Sequence, residues 1–219
     1  MDTDVKEVVK EFWSRRAEEF DTEPDHVLHS PGQHRSWLEL LGRFAQRVPS
    51  RILDVGCGTG FLAFLYAEMG HEVTGIDLSP EMIETAQRKA HRQGIRAAFR
   101  VGDAECIKDR DQSFDLVVAR HLLWTLPDPN RAVREWLRVL RPKGRLLLIE
   151  GYWGAGDLSD EYGQIHTHLP FYEGALGEKV AAFLRTCGVE DVRTEPLTAP
   201  ELWHEPPEYP RYLVAGRRA

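Results

Sequence analysis

After Pro49 the chain alternates short apolar runs with stretches of helical periodicity: "RILDVG", a helix over Phe61 to Met69, "HEVTGID", then a helix over Pro80 to Arg92. Such alternation feeds parallel strands through helical crossovers, so it predicts an α/β fold built on a parallel sheet. Local chemistry agrees. Ser79 is placed to N-cap a helix whose first position is Pro80, and Gly70 and Gly94 stand where helices stop. The pattern continues through "AAFRVGD" and "FDLVVAR" to a helix N-capped by Asp128, with Pro129 in its first turn and "RPKG" at its end. "GRLLLIEG" follows, apolar as a strand covered on both faces requires. A helix near Glu178 to Thr186 and two further strands, "VEDVRTEPL" and "RYLVAGRR", bring the total to about seven strands.

Upstream, Val5, Val8, Val9, Phe12, Trp13 and Phe20 recur at the spacing of an amphipathic helix with one buried face. Asp21 to Gln33 carries Pro24, His26, His29 and Pro31 without a clean period, and Trp37, Leu38, Leu41, Phe44 and Ala45 resume the helical spacing. The expectation is helix, irregular lid, helix: a cap over residues 1–47 ahead of a core over 48–219. Residues 151–175 read as an irregular excursion from that core, of the kind that is usually functional or mobile.

Composition narrows the role. A chain of 219 residues, 42% hydrophobic, can bury one substantial core. The net charge of -7 disfavours a uniform basic surface, so nucleic acid is not an expected partner. "MDTDVKEVVK" lacks the apolar core of a secretory signal and "FLAFLYA" is too short to span a bilayer, so no membrane association and a cytoplasmic location are expected. Cys57, Cys106 and Cys187 form no metal or disulfide pattern, which fits a reducing compartment. Monomer and homodimer are both compatible with the sequence.

The first strand hands over to a helix through "GCGTG". Glycine there lets the backbone turn sharply and lets a ligand approach without a Cβ in the way. The spacing of Gly56, Gly58 and Gly60 differs from the dinucleotide fingerprint, which disfavours a pyrophosphate and with it a nicotinamide-dependent oxidoreductase. Asp77 ends the second strand about 20 residues after Gly56, where a carboxylate accepts hydrogen bonds from both hydroxyls of a ribose. Asp103 ends the third strand, placed to accept from the exocyclic amine of a purine.

Taken in order, "ILDVGCGTG", "GIDLSPEMI", "VGDAE", "FDLVVARHLLWTLPDP" and "RVLRPKGRLLLIE" closely resemble the class I S-adenosylmethionine-dependent methyltransferases of the type-11, menaquinone-biosynthesis-like group. The likeness covers roughly residues 48–150. It implies a Rossmann-like sheet of seven strands in the order 3-2-1-4-5-7-6, the last antiparallel, with helices on both faces. Carried onto these residues, it sets the methionine moiety of the cofactor against the backbone of Gly56, Gly58 and Gly60, with Asp54 near its ammonium group. Asp77 would hold the ribose, Leu78 and Met82 would flank the adenine, and Asp103 and the Ala104 amide would meet its polar edge. The carbonyl of Arg120 or of His121 would face the ammonium. Trp13, Arg16 or Phe20 would close over the cofactor, although Trp13 and Phe20 suit the core of the first helix equally well. Cys57 needs no thiol role.

The resemblance implies S-adenosylmethionine as cofactor, S-adenosylhomocysteine as product and methyl transfer as activity, with a non-catalytic binding protein of the same fold as the alternative. "ARHLLW" replaces the motif associated with methylation of amide or base nitrogens, and the cysteine set needed for arsenic is missing, which leaves a small organic acceptor. Tyr152, Trp153, Tyr162, Phe171 and Tyr172 are candidates either for its aromatic walls or for lid core. A base is needed only if the acceptor must lose a proton, a role that suits histidine near neutral pH. His121, at the rim of the fourth strand, is one candidate, with capping or lid contact as the alternative. His166 and His168 are two apart and would face one way in an extended segment, to position an acceptor; no metal site is expected.

Overall fold

A computed structural model of the chain describes residues 4–45, 48–154 and 163–219. Its strands are β1 (Arg51–Val55), β2 (Glu72–Asp77), β3 (Ala97–Val101), β4 (Phe114–Arg120), β5 (Leu140–Gly151), β6 (Glu190–Pro196) and β7 (Arg211–Arg217). They form one sheet in the order β3-β2-β1-β4-β5-β7-β6, parallel except for β7, which runs antiparallel to both neighbours. This is the order that the resemblance implies. The strand order reverses between β1 and β4, and a ligand crevice opens beyond the carboxyl ends of the strands at such a point.

The described helices are α1 (Val5–Arg16), α2 (Pro31–Gly42), α3 (Phe61–Glu68), α4 (Pro80–Gln93), α5 (Pro129–Val139) and α6 (Gly177–Thr186). Successive strand residues point to opposite faces, and β1 divides accordingly. Leu53 and Val55, with Val117 and Ala119 of β4, pack against α1, α5 and α6; Ile52, Leu116 and Val118 pack against α2, α3 and α4. Leu146 to Ile149 at the centre of β5 are fully buried, the reason that run reads as apolar without alternation.

Helix starts follow capping chemistry. The Ser79 hydroxyl accepts from the Met82 amide at 3.1 Å and the Asp128 carboxylate from the Arg131 amide at 2.9 Å, each with proline in the first turn. Ser30 does the same for the Gln33 amide at 3.1 Å, with Pro31 following, so α2 begins before the expected end of the irregular segment. The first helix is shorter than its periodicity suggests. It ends at Arg16, and Phe20–Thr22 and Pro24–His26 form separate 3-10 turns. "RPKG" does not separate helix from strand: β5 starts at Leu140 and runs through it, with Lys143 at φ 62°.

Of the expected excursion, 155–162, including Tyr162, lies outside the described residues, as does 46–47 at the expected cap boundary. The remainder is packed, with Ile165, Leu169, Phe171 and Ala175 buried in the core. Among the described residues, no helix is long and apolar enough to cross a membrane.

Trp136 links fold to site. It is fully buried on α5, and its indole N–H donates to the Ala104 carbonyl at 3.1 Å, at the carboxyl end of β3. Trp136→Ala is expected to cost about 3–5 kcal/mol of stability; urea unfolding followed by circular dichroism checks this, and a cost below about 1 kcal/mol contradicts the packing described.

Candidate active site

The loop after β1 bends through three left-handed glycines, Gly56 (φ 65°), Gly58 (φ 51°) and Gly60 (φ 100°). The Cys57 amide donates to the Ile76 carbonyl at 3.0 Å and the Gly58 amide to Asp77 Oδ2 at 2.8 Å. Asp54 Oδ2 accepts from the Ala63 amide in the first turn of α3, at 3.0 Å. A Cβ on Gly56 would lie 2.6 Å from Leu122, whose side chain covers the loop, whereas one on Gly58 would meet only the Phe20 ring at 3.5 Å. Cys57 is buried, and burial pushes its thiol pKa well up, so it keeps its proton.

Asp77 ends β2 with Oδ1 accepting from the Ser79 amide at 2.9 Å and Oδ2 from the Gly58 amide. A carboxylate has about four acceptor sites, so these two bonds leave capacity on both oxygens. Burial raises the pKa of Asp77 and of Asp54, the latter to about 8.

Two hollows flank this loop. A narrow one of about 60 Å³ is lined by Leu78, Asp103, Ala104 and Lys6 among others. Here the structure adds what the sequence reading missed. The Lys6 ammonium donates to Asp103 Oδ2 at 2.7 Å and pairs with Glu105 at 2.6 Å, while Asp103 Oδ1 accepts from the Glu105 amide at 2.8 Å. The signal was present only as a lysine in the first turn of α1, between Val5 and Val8 of its apolar face.

The larger cavity, about 380 Å³, runs from Asp54, Gly56, Gly58, Asp77 and Met82 to Arg120, His121, Trp153 and Arg211. Trp13 and Phe20 both line it. Trp13 is also packed edge-on to Phe12 and Trp124, so it serves cavity and core together; Phe20 stacks on His26 at 3.8 Å. Of the aromatic candidates in 151–175, Trp153 lines the cavity, Phe171 is buried against Phe183, and Tyr152 is exposed. Phe12, Trp124 and Tyr209 supply walls that the sequence reading did not select.

His121 follows β4 at φ 54°, an uncommon conformation for a residue with a Cβ, held by donation of its amide to the Ile149 carbonyl at 2.9 Å. Its ring stacks on Trp153 at 5.4 Å, and Nε2 is buried without a partner among the described residues. Burial, with Arg120 and Arg211 adding, holds its pKa well below the usual range, so the imidazole is neutral at pH 7. Arg120 lies over the Phe61 ring at 4.2 Å and donates to the Asp25 carbonyl. Burial lowers its pKa to about 10, so it keeps its charge. Glu150 accepts from the Leu122 and Leu123 amides at 3.1 and 2.9 Å, anchoring the turn that carries Leu122.

His166 and His168 are not in an extended segment. They sit in a 3-10 turn, exposed, and neither lines the cavity; a tight turn points residues two apart in different directions. Among the described residues no cluster of side chains is suited to a metal ion.

The geometry has counterparts in known proteins. Residues 53–148 match the type-11 family model, described as a methyltransferase domain. An uncharacterized methyltransferase of Bacillus subtilis, YcgJ, is 35% identical over 186 residues, covering 82% of this chain and 70% of that protein. The chain belongs to the class I S-adenosylmethionine-dependent methyltransferases. A second relative of this methyltransferase, a ubiquinone biosynthesis O-methyltransferase of Xanthomonas euvesicatoria, is 34% identical over 126 residues, 57% of this chain. The match spans about half of that protein's length, 52%. Among solved structures, the cyclase SpnF superposes with a TM-score of 0.73 over 96% of this chain and 94% of its own, at 23% identity, a likeness of fold alone.

The residues of the loop fit the cofactor: the open face of Gly58 lies beside the Asp77 carboxylate, which has free acceptor capacity. Gly56→Ala is expected to destabilise the protein by about 1–3 kcal/mol, through strain at positive φ and the displacement of Leu122. Gly58→Ala should cost about 1 kcal/mol because space is available there. Equal losses in urea unfolding would contradict the role given to Leu122.

Proposed function

We propose that this methyltransferase acts on a small organic molecule held between the ends of β4, β5 and β7, with the cofactor on the glycine loop. The observation that carries the reading is the continuity of the larger cavity from Gly56 and Asp77 to His121, Trp153 and Arg211. Its volume lies within the range of small-molecule sites, roughly 300–1,000 Å³, and an aromatic lining favours an organic acceptor over a polymer.

In this reading the backbone of Gly56, Gly58 and Gly60 supports the methionine moiety, Asp54 and the Arg120 carbonyl face its ammonium, and Asp77 takes the ribose. Leu78, Met82, Asp103 and Ala104 hold the adenine, with Lys6 fixing the Asp103 carboxylate. The helices and 3-10 turns before β1 act as a cap, through Trp13 and Phe20. Bound S-adenosylmethionine supplies an electrophilic methyl group on a sulfonium. The protein's work is then to align the nucleophile and exclude water, which in well-oriented pairs contributes about 7–11 kcal/mol.

His121 is better suited to position the acceptor than to carry its proton. An imidazolium there would be desolvated and would stand near Arg120 and Arg211, which is why its pKa is low. Stacked on Trp153, its ring forms part of the wall against which an acceptor would be held. The exposed His166 and His168 are given no part in the reaction.

Two measurements test the cofactor assignments. Asp77→Ala should weaken S-adenosylhomocysteine binding at least about tenfold in calorimetry, the scale of a lost charged hydrogen bond; near-normal affinity in a folded variant refutes the ribose role. Asp54, with a pKa of about 8, is largely protonated at pH 7.5, and an ammonium beside it favours the carboxylate. Cofactor binding at pH 7.5 should therefore release a substantial fraction of one proton. Titrations in buffers of different ionisation enthalpy detect it, Asp54→Asn should abolish it, and an enthalpy independent of buffer contradicts the assignment. The sign for stability follows from the same shift: the folded pKa lies above the unfolded one, so Asp54 costs stability as pH rises from about 4 through 8. Methyl transfer itself is checked by mass spectrometry of small-molecule panels incubated with the cofactor.

A further inference from the structure

The acceptor end of the cavity has an excess of hydrogen-bond donors. Arg120 closes β4, and Arg211 opens β7 in register with Gly151 at the end of β5. Because β7 is antiparallel, its first residue comes to the same sheet edge as the last residues of β4 and β5. Arg120 Nε, Arg211 Nε and Nη1, and Trp153 Nε1 are all buried without a hydrogen-bond partner among the described residues. Donors left unpaired in this way carry a desolvation cost of about 1–3 kcal/mol each, more when charged.

The nearby carboxylates do not meet this demand. Asp25 gives its carboxylate to Arg211 Nη2 at 2.9 Å and its carbonyl to Arg120. Glu150 is turned to the Leu122 and Leu123 amides, Asp54 to the Ala63 amide, and Glu23 pairs with Arg16. Burial raises Asp54 and Glu150 to about 8 and about 7, so neither is a full counter-charge at neutral pH. Two guanidiniums thus face the cavity with one committed anion between them.

Arg211 is held in place on one side by an aromatic plate. The Arg211 guanidinium lies 5.2 Å above the Trp153 ring, and a Cβ on Gly151 would come within 2.6 Å of both Arg211 Nη1 and the Trp153 ring. A glycine at 151 is what lets them pack. The guanidinium fork matches a planar oxyanion in a bidentate manner that a point charge cannot.

We propose that Arg211 and Arg120 form a subsite for a carboxylate of the methyl acceptor, and that the acceptor is an aromatic acid whose ring lies among Trp13, Trp124 and Trp153. This deepens the small-molecule reading above and rests on it. An acceptor anion there would lie against the two guanidiniums that line the cavity and balance their charge.

The test compares hydroxybenzoates, including 3,4-dihydroxybenzoate, with their uncharged amides, by calorimetry on the protein saturated with S-adenosylhomocysteine. At least one acid should bind about tenfold or more tighter than its amide, and Arg211→Gln should reduce that preference to within about threefold while leaving S-adenosylhomocysteine affinity unchanged. Asp25→Asn, which removes the competing carboxylate, should tighten acid binding. The acid-to-amide comparison on the unaltered protein stands even if Arg211→Gln fails to fold. Amides binding as well as acids, or no acid binding, overturns the proposal. So does loss of S-adenosylhomocysteine affinity in Arg211→Gln, which would assign the guanidinium to the cofactor's carboxylate. Failure of the unaltered protein to bind S-adenosylhomocysteine would instead strike the cofactor reading, so the two failures are distinguishable.

Discussion

Two carboxylates, Asp54 buried and Asp77 half-buried, give the glycine loop its shape. Asp54, on β1, takes the Ala63 amide at the start of α3, and Asp77, on β2, takes the Gly58 amide from the loop itself. Glycine alone permits many conformations; these bonds choose one. The Asp77 bond also ties β2 to the loop that follows β1, so the ends of the two strands cannot shift independently. The cost is a pair of acids held in low dielectric, which shows as raised pKa values for both.

The remainder of the site is arranged around that fixed point. Glu150 holds the turn after β4, the turn holds Leu122 over Gly56, and Leu122 lies between the broad cavity and the narrow one. Lys6 of α1 closes the narrow side by reaching Asp103 and Glu105. A side chain near the start of the chain and a loop at the heart of the sheet therefore depend on each other through partly buried charges.

The glycine-loop end of the cavity was legible because its signals are local. A glycine triplet after an apolar run, an aspartate at each of the next two strand ends, and Ser-Pro or Asp-Pro at helix starts each depend on a few adjacent residues. Ser30–Pro31 carries the same start signal as Ser79–Pro80, but the apolar period resumes only at Trp37, which hides the first turn of α2 from a reading by periodicity. Phe20 continued the apolar spacing of α1 beyond the helix because it is needed over Gly58, not in the helix. At the far end of the cavity only His121 and Trp153 were legible. Arg211, Tyr209, Trp124 and Trp153 meet only through tertiary packing, and no spacing along the chain links the end of β5 to the start of β7. For His166 and His168, a polar spacing of two carried no information on whether the backbone was extended or coiled.

The reversal of β7 separates two kinds of change that the protein can undergo. The family model ends at residue 148, and Trp153, Tyr209 and Arg211 all lie beyond it. The connection that delivers Tyr209 and Arg211 is anchored at its far side, where the Leu202 carbonyl accepts from the Trp37 indole at 2.9 Å and the Trp203 indole donates to the Leu197 carbonyl at 3.0 Å. Lengthening or shortening the chain between Trp203 and Arg211 would re-aim the far wall of the larger cavity while leaving the loop after β1 in place. New specificities on this scaffold are therefore reachable by small insertions and deletions in one connection.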